Sequence, residues 1–173
     1  MDERSDDAFE AFVRLHGPAL LRTAVLLTTD RSAGEDLVQT ALAKAYGRWD
    51  HVAATDHPLA YVRRLMVNVH LSWLRRLVSR EHVTDRIADR AAHGDLAADH
   101  AQRADLQVAL RQLSPRVRTA VVLRYFDDLS EADTARLMGC SVSTVNNHVT
   151  RGLGALRHLL SAQADNGTER RTR

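Results

Sequence analysis

Apolar residues recur along the first eighty positions at intervals of three and four. Phe9, Phe12, Val13, His16, Leu20, Leu21, Ala24 and Val25 predict one or two helices over about 7–28. The polar run TTDRSAGED breaks that pattern. A long helix is then predicted over 33–49, with Leu37, Val38, Ala41, Leu42, Ala45, Tyr46 and Trp49 on one side. Its other side carries Asp36, Gln39, Thr40, Ala43 and Lys44. Residues 50–57 read as a connection. Pro58 suits the first position of the next helix, where its missing N–H costs nothing. Leu59, Val62, Met66, Val69, Trp73 and Leu77 carry that helix to about 79.

The pattern then fades. Residues 80–103 have few large apolar side chains and much Ala and Asp, the composition of a linker. Leu106, Leu110 and Leu113 restart the period. Ser114-Pro115 opens a helix carrying Val117, Val121 and Leu123, and Asp127-Asp128 ends it. Ser130 with Asp133 three residues on is a capping box, and it opens a short helix to Met138. Gly139-Cys140-Ser141 makes a turn, with Ser141 as the N-cap of the following helix. That last helix, from 142 to about 160, has Val142, Val145, Val149, Leu153, Leu156 and Leu160 on its apolar line. From Ser161 the chain is polar and is expected to be a disordered tail, 161–173.

The expected fold is therefore all-α, with two small helical domains, 7–79 and 104–160, joined by a flexible linker. Composition agrees. Apolar residues make up 45% of 173, enough for a real core, but aromatics only 5%. A core of Leu, Val and Ala without long β-branched runs favours helix over strand.

Charge adds a location. The net formal charge is only +2, yet 57–80 holds five Arg and no Asp or Glu, whereas 81–103 holds five acidic residues and three Arg. A basic segment beside a mildly acidic one points to a local polyanion contact. The single cysteine, Cys140, allows no internal disulfide, which fits a reducing cytoplasm. The opening MDERSDD does not read as a signal peptide, and apolar stretches such as AVLL at 24–27 are far too short to span a bilayer.

Three segments carry chemistry. In 130–158 a short capped helix, a Gly-containing turn and a longer helix stand in helix-turn-helix order. The second helix presents Ser143, Thr144, Asn147 and Arg151, groups that suit base edges and phosphates better than bulk water. An ordinary helical hairpin with a polar face is the plainer alternative. In 57–80, Arg63, Arg64, Arg75, Arg76 and Arg80 are interleaved with Tyr61, Asn68, His70 and Trp73. Cations that track phosphates and rings that stack on bases suit single-stranded nucleic acid; Tyr61 and Trp73 would otherwise be core. The polar side of 33–49, taken alone, is solvated surface. A Gly-rich phosphate loop, a nucleophile elbow and a metal-ligand spacing are missing, so neither an enzyme nor a cofactor is expected.

These residues resemble a known family. The blocks AGEDLVQTALAKAYGRW (33–49), HPLAYVRRLMVNVHLSWLRR (57–76) and LSPRVRTAVVLRYFDDLSEADTARLMGCSVSTVNNHVTRGLGALR (113–157) are similar to extracytoplasmic-function (group IV) sigma factors, and most similar to the SigE-like actinobacterial branch. The likeness covers about 8–160 and implies a region-2 unit and a region-4 unit with no region 3 between them. It implies a cytoplasmic, nucleoid-associated protein whose partners are core RNA polymerase, promoter DNA and an anti-sigma factor. Asp36, Gln39, Thr40 and Ala43 would dock on the clamp helices of the largest polymerase subunit, and region 4 on the flap. Arg63, Arg64, Asn68, His70, Ser72, Trp73, Arg75 and Arg76 would melt and hold the −10 element, a flipped base included. Ser143, Thr144, Asn147, His148 and Arg151 would read the −35 element.

One stretch departs from the family. Many relatives have a Lys and a Gln before the Arg-Gly of the last helix, as in TVKSQ, where this chain has Val145-Asn146-Asn147-His148. The loss of that Lys removes a phosphate contact and some salt-dependent affinity. On a helical wheel Asn146 leans toward the core, Asn147 points out and His148 sits at the flank. Two rival readings differ in what the halves do. A stand-alone helix-turn-helix regulator would dimerise through 7–79, and a decoy would bind polymerase or an anti-sigma factor without touching DNA.

Overall fold

The computed structural model describes residues 3–81 and 106–171. Every regular element among them is an α-helix. The chain divides into two units, Met1–Ala92 and His93–Arg173.

The first unit opens with α1 (Glu3–Thr28), one helix where the sequence allowed two. Pro18 lies within it, on the solvent side, so the carbonyl that loses its N–H partner faces water. The turn after α1 is tight: Thr29 adopts φ 59, and Asp30 caps α2 (Arg31–Tyr46) by accepting the Ala33 N–H at 2.8 Å. Gly34 lets α2 approach α1, because a Cβ there would lie 2.9 Å from Val25 Cγ2.

The long helix expected over 33–49 stops at Tyr46, where Gly47 caps it. Trp49 begins a separate short helix, α3 (Trp49–Ala53), in what was expected to be connection. The break lets the indole turn inward. Trp49 is buried, with its ring centroid 5.0 Å from those of Phe9 and Phe12. The start of α1 is tied to the same corner: Ser5 Oγ donates to Asp50 at 2.7 Å and the Tyr46 hydroxyl to Asp6 at 2.9 Å. That bond to Asp6 is the main reason the Tyr46 hydroxyl titrates above its ordinary range.

Helix α4 (Pro58–Glu81) begins on Pro58 as expected. Leu20 and Leu27 of α1, Leu37 of α2, and Val62, Met66 and Val67 of α4 close the core. Each large aliphatic side chain buried here contributes about 1.5–3 kcal/mol.

The second unit contains α5 (106–111), α6 (Pro115–Tyr125), α7 (Glu131–Met138) and α8 (Val142–Arg171). Ser114 holds the N-cap position of α6, but its side chain makes no capping bond. Arg118 is buried in α6 and donates to the Leu110 carbonyl; burial first, and Arg111 second, bring its pKa down to about 10, so it stays charged at neutral pH. Ser130 caps α7, accepting the Asp133 N–H at 3.0 Å; its hydroxyl also donates to the Asp133 carboxylate at 2.6 Å. Gly139 turns the chain in the left-handed region at φ 64, and Ser141 caps α8 through the Thr144 N–H at 3.2 Å.

Helix α8 lies on α6 across Gly152, where a Cβ would meet Val121 Cγ2 at 2.5 Å and Val117 Cγ1 at 3.0 Å. On α8, Val142, expected on the apolar line, is 41% exposed, whereas Val145 three residues on is fully buried. The helix itself runs on to Arg171. Of the expected linker, residues 82–103 lie outside the described residues. Among the described residues no helix is long and apolar enough to cross a membrane, and no group of three or more His, Cys, Asp or Glu is placed to hold a metal.

Candidate nucleic-acid interface

The polar line of α4 runs at every fourth residue. Arg64, Asn68, Ser72 and Arg76 follow one another up a single face, with Arg75 beside them. Arg64, Asn68, Arg75 and Arg76 are exposed, and Ser72 and Trp73 are half-buried. Arg63 lies at the flank and is partly buried. His70 is on the far side, 3% exposed within the core. Its place in the sequence beside basic residues suggested the interface; the helical period puts it opposite.

Where α4 passes α2 the two helices leave a groove of about 290 Å³. Asn68, Ser72, Trp73 and Arg76 form its α4 wall, Leu65 and Val69 its apolar floor. Thr40 and Lys44 form the α2 wall. The groove thus gathers an indole, an amide, two hydroxyls and two cations, and no carboxylate lines it. That set can stack a planar ring, bond its polar edge and neutralise a phosphate. Thr40, expected on the polymerase-facing side, stands in this wall. Asp36, Gln39 and Ala43 remain exposed on α2 away from it. Lys44, placed by the sequence on the polar side of this helix, stands in the same wall four residues after Thr40.

The second candidate surface is the start of α8. Ser143, Asn147 and Arg151 are exposed at four-residue steps. The Ser141 hydroxyl lies 2.9 Å from that of Ser143 and 2.8 Å from that of Thr144, so three hydroxyls form one bonded cluster at the N-terminus of the helix. Asn146 does not lean into the core: it is exposed, and its amide donates to Glu131 on α7 at 3.2 Å. This holds Asn146 aside and leaves Asn147 as the free amide of the pair.

His148 is half-buried, and its Nδ1 is enclosed without a hydrogen-bond partner. Burial, then Arg151, then Arg116 lower its pKa, so it is neutral at pH 7. Arg116, at the start of α6, was not singled out in the sequence. Its influence on His148 brings a second cation, contributed by another helix, to the surroundings of that ring.

Comparison with known proteins places the chain in a family. Residues 12–80 match Sigma-70 region 2, and residues 103–156 match Sigma-70, region 4. The chain is 39% identical over 155 residues to the RNA polymerase sigma-E factor of Streptomyces avermitilis, covering 90% of this chain and 86% of that one. It is 31% identical to the ECF RNA polymerase sigma factor SigM of Mycobacterium tuberculosis, covering 88% and 77%. Among solved structures, the sigma factor RpoE of Bartonella quintana, crystallised with the anti-sigma factor NepR, is similar at a TM-score of 0.66 and 28% identity, over 89% of this chain and 97% of that one.

Proposed function

The chain belongs to the extracytoplasmic-function sigma factors, of the SigE-like actinobacterial type, and from that membership we propose how its two units divide promoter recognition. It is an RNA polymerase sigma factor that directs promoter recognition, an initiation factor rather than a catalyst. Residues 7–79 bind core polymerase and the −10 element, and residues 104–160 bind the −35 element. Residues 80–103 connect them.

In the first unit, Asp36, Gln39 and Ala43 face the polymerase clamp. Arg64, Asn68, Ser72, Trp73, Arg75 and Arg76 take the non-template strand of the −10 element. Arg63 supports them from the flank, and His70 serves the core. In the second unit, α8 enters the −35 major groove. Asn147 meets a base edge, Arg151 a phosphate or guanine, and Ser143 and Thr144 the adjoining backbone; His148 borders the contact as a neutral ring. The protein works where polymerase and the nucleoid are, in the cytoplasm. An anti-sigma factor, such as the one that accompanies the Bartonella relative, is an expected partner.

The observation that carries this reading is the carboxylate-free groove between α2 and α4, in a chain whose other half is a capped helix-turn-helix. A stand-alone regulator has no use for a single-strand groove, and a decoy has none for either DNA surface. Run-off transcription tests it. Core polymerase given this chain should initiate at a defined start on a promoter with −35 and −10 elements. Transcription that never depends on the chain, or that survives scrambling of both elements, would sink the reading.

A further inference from the structure

We propose that Glu131 of α7 is a positioning residue for −35 specificity: its carboxylate holds the Asn146 amide off the base edges, so that Asn147 reads without it. This rests on the assignment of α8 to the −35 major groove.

The first observation is angle. At about 100° per residue, Asn146 stands roughly 60° around α8 from Ser143, and Arg151 roughly 80° from it the other way. Exposed Ser143, Asn147 and Thr150 lie between these two edges. Asn146 is exposed too, so by position it belongs to the same arc. What sets it apart is its bond across to α7, from Nδ2 to Glu131 Oε2 at 3.2 Å.

The second observation is the chemistry of that bond. A carboxylate only accepts, so the amide must turn its nitrogen toward Glu131. A hydrogen bond to a charged group is stronger than one between neutral groups, which lets it hold even an exposed amide. Asn pairs with adenine by presenting an N–H and its carbonyl together to N7 and N6. An amide drawn toward α7 at the flank of α8 does not bring that edge to a base.

The third observation is charge. A carboxylate beside a DNA-facing surface repels phosphates, so attraction to DNA does not account for Glu131. Asp133, acidic in the same first turn of α7, is bonded to Ser130 and Arg136 on its own helix. Glu131 reaches across to α8 instead, and among the described residues it forms no ion pair.

The test uses holoenzyme made from the full chain and core polymerase, scored for open complexes on promoters randomised across the −35 element. Glu131→Ala should gain a roughly tenfold preference for adenine at one position, the size of a bidentate amide–adenine pair. The double variant Glu131→Ala, Asn146→Ala should lose that gain, and Asn146→Ala alone should match the native profile. Glu131→Gln, which removes the charge and keeps an acceptor, should stay close to the native profile. If Glu131→Ala strengthens binding evenly and adds no preference, Glu131 acts through charge alone and the proposal is wrong. It is equally wrong if the new preference survives in the double variant, if Glu131→Gln gains it as fully as Glu131→Ala, or if Asn146→Ala alone abolishes a native preference. A native holoenzyme indifferent to the −35 sequence would remove the assignment of α8 itself, a result visible without any variant.

Discussion

A methyl group added to either of two glycines in the second unit would do harm for different reasons. At Gly152 the new Cβ would lie 2.5 Å from Val121 Cγ2, so α8 must move off α6. Gly152→Ala should cost about 1–3 kcal/mol, typical of overpacking. At Gly139 nothing lies within 4 Å, but the backbone sits at φ 64. Gly139→Ala should cost about 1–2 kcal/mol through conformation alone. Urea unfolding of both variants checks this, and a Gly152→Ala protein as stable as the native one would mean the contact relaxes freely. The Gly139 turn was legible because Gly follows a capped helix at the position where a left-handed residue is needed. Gly152 was not, because nothing in a one-dimensional pattern says which residue two helices will cross at. His148 makes a prediction in pH. Its folded pKa lies below the ordinary 6.5 because of burial and then of Arg151 and Arg116. Below about pH 6.5 the unfolded chain therefore binds the proton more readily than the folded one, and stability falls as pH drops toward the folded value. Melting temperature followed from pH 7.5 to 5.5 should decline less steeply for His148→Gln than for the native chain; equal slopes would show that His148 contributes nothing.

Helices α2 and α8 each divide their exposed residues between tasks, and the division can be tested one face at a time. On α8, Asn147→Ala should relax preference at one or two −35 positions, by roughly 1–3 kcal/mol for a lost bidentate pair. Asn146→Ala should leave preference alone, since that amide is held by Glu131. Arg151→Ala should weaken binding evenly and flatten the salt slope by about one if it meets a phosphate. A panel of promoter variants scored for open complexes separates these results, and unchanged preference with Asn147→Ala would shift the base contact to Thr144. On α2, changing Asp36 to Arg and Gln39 to Ala together should reduce capture of core polymerase at unchanged helicity; undiminished capture would refute the docking face. Most elements were legible because a 3.6-residue period survives in any helix with one buried side. The break between α2 and α3 was not. Trp49 fits the apolar line of a continuous helix, and only its packing against Phe9 and Phe12 reveals that the chain turned to bring it there. Likewise the period alone placed Thr40 on a polar face but could not say that α4 would pass beside it.

For the molecule as a whole, the all-helical fold and the order of its two units could be read from the sequence because caps and periodicity agreed. The groove could not, since its walls come from segments more than twenty residues apart and each wall alone looks like solvated surface. That shared wall joins two binding events that the sequence kept separate. One rigid helix offers Asp36, Gln39 and Ala43 on one side and closes the groove with Thr40 and Lys44 on the other. On this assignment polymerase and DNA are ligands of the same helix, and the free energy that couples them must be reciprocal. By whatever factor core polymerase tightens the grip on the −10 strand by steadying α2, the −10 strand tightens the grip on polymerase by the same factor. A sigma factor built this way is held most firmly on polymerase while its promoter is open, and the strand's departure from the groove at the end of initiation loosens its hold on the enzyme.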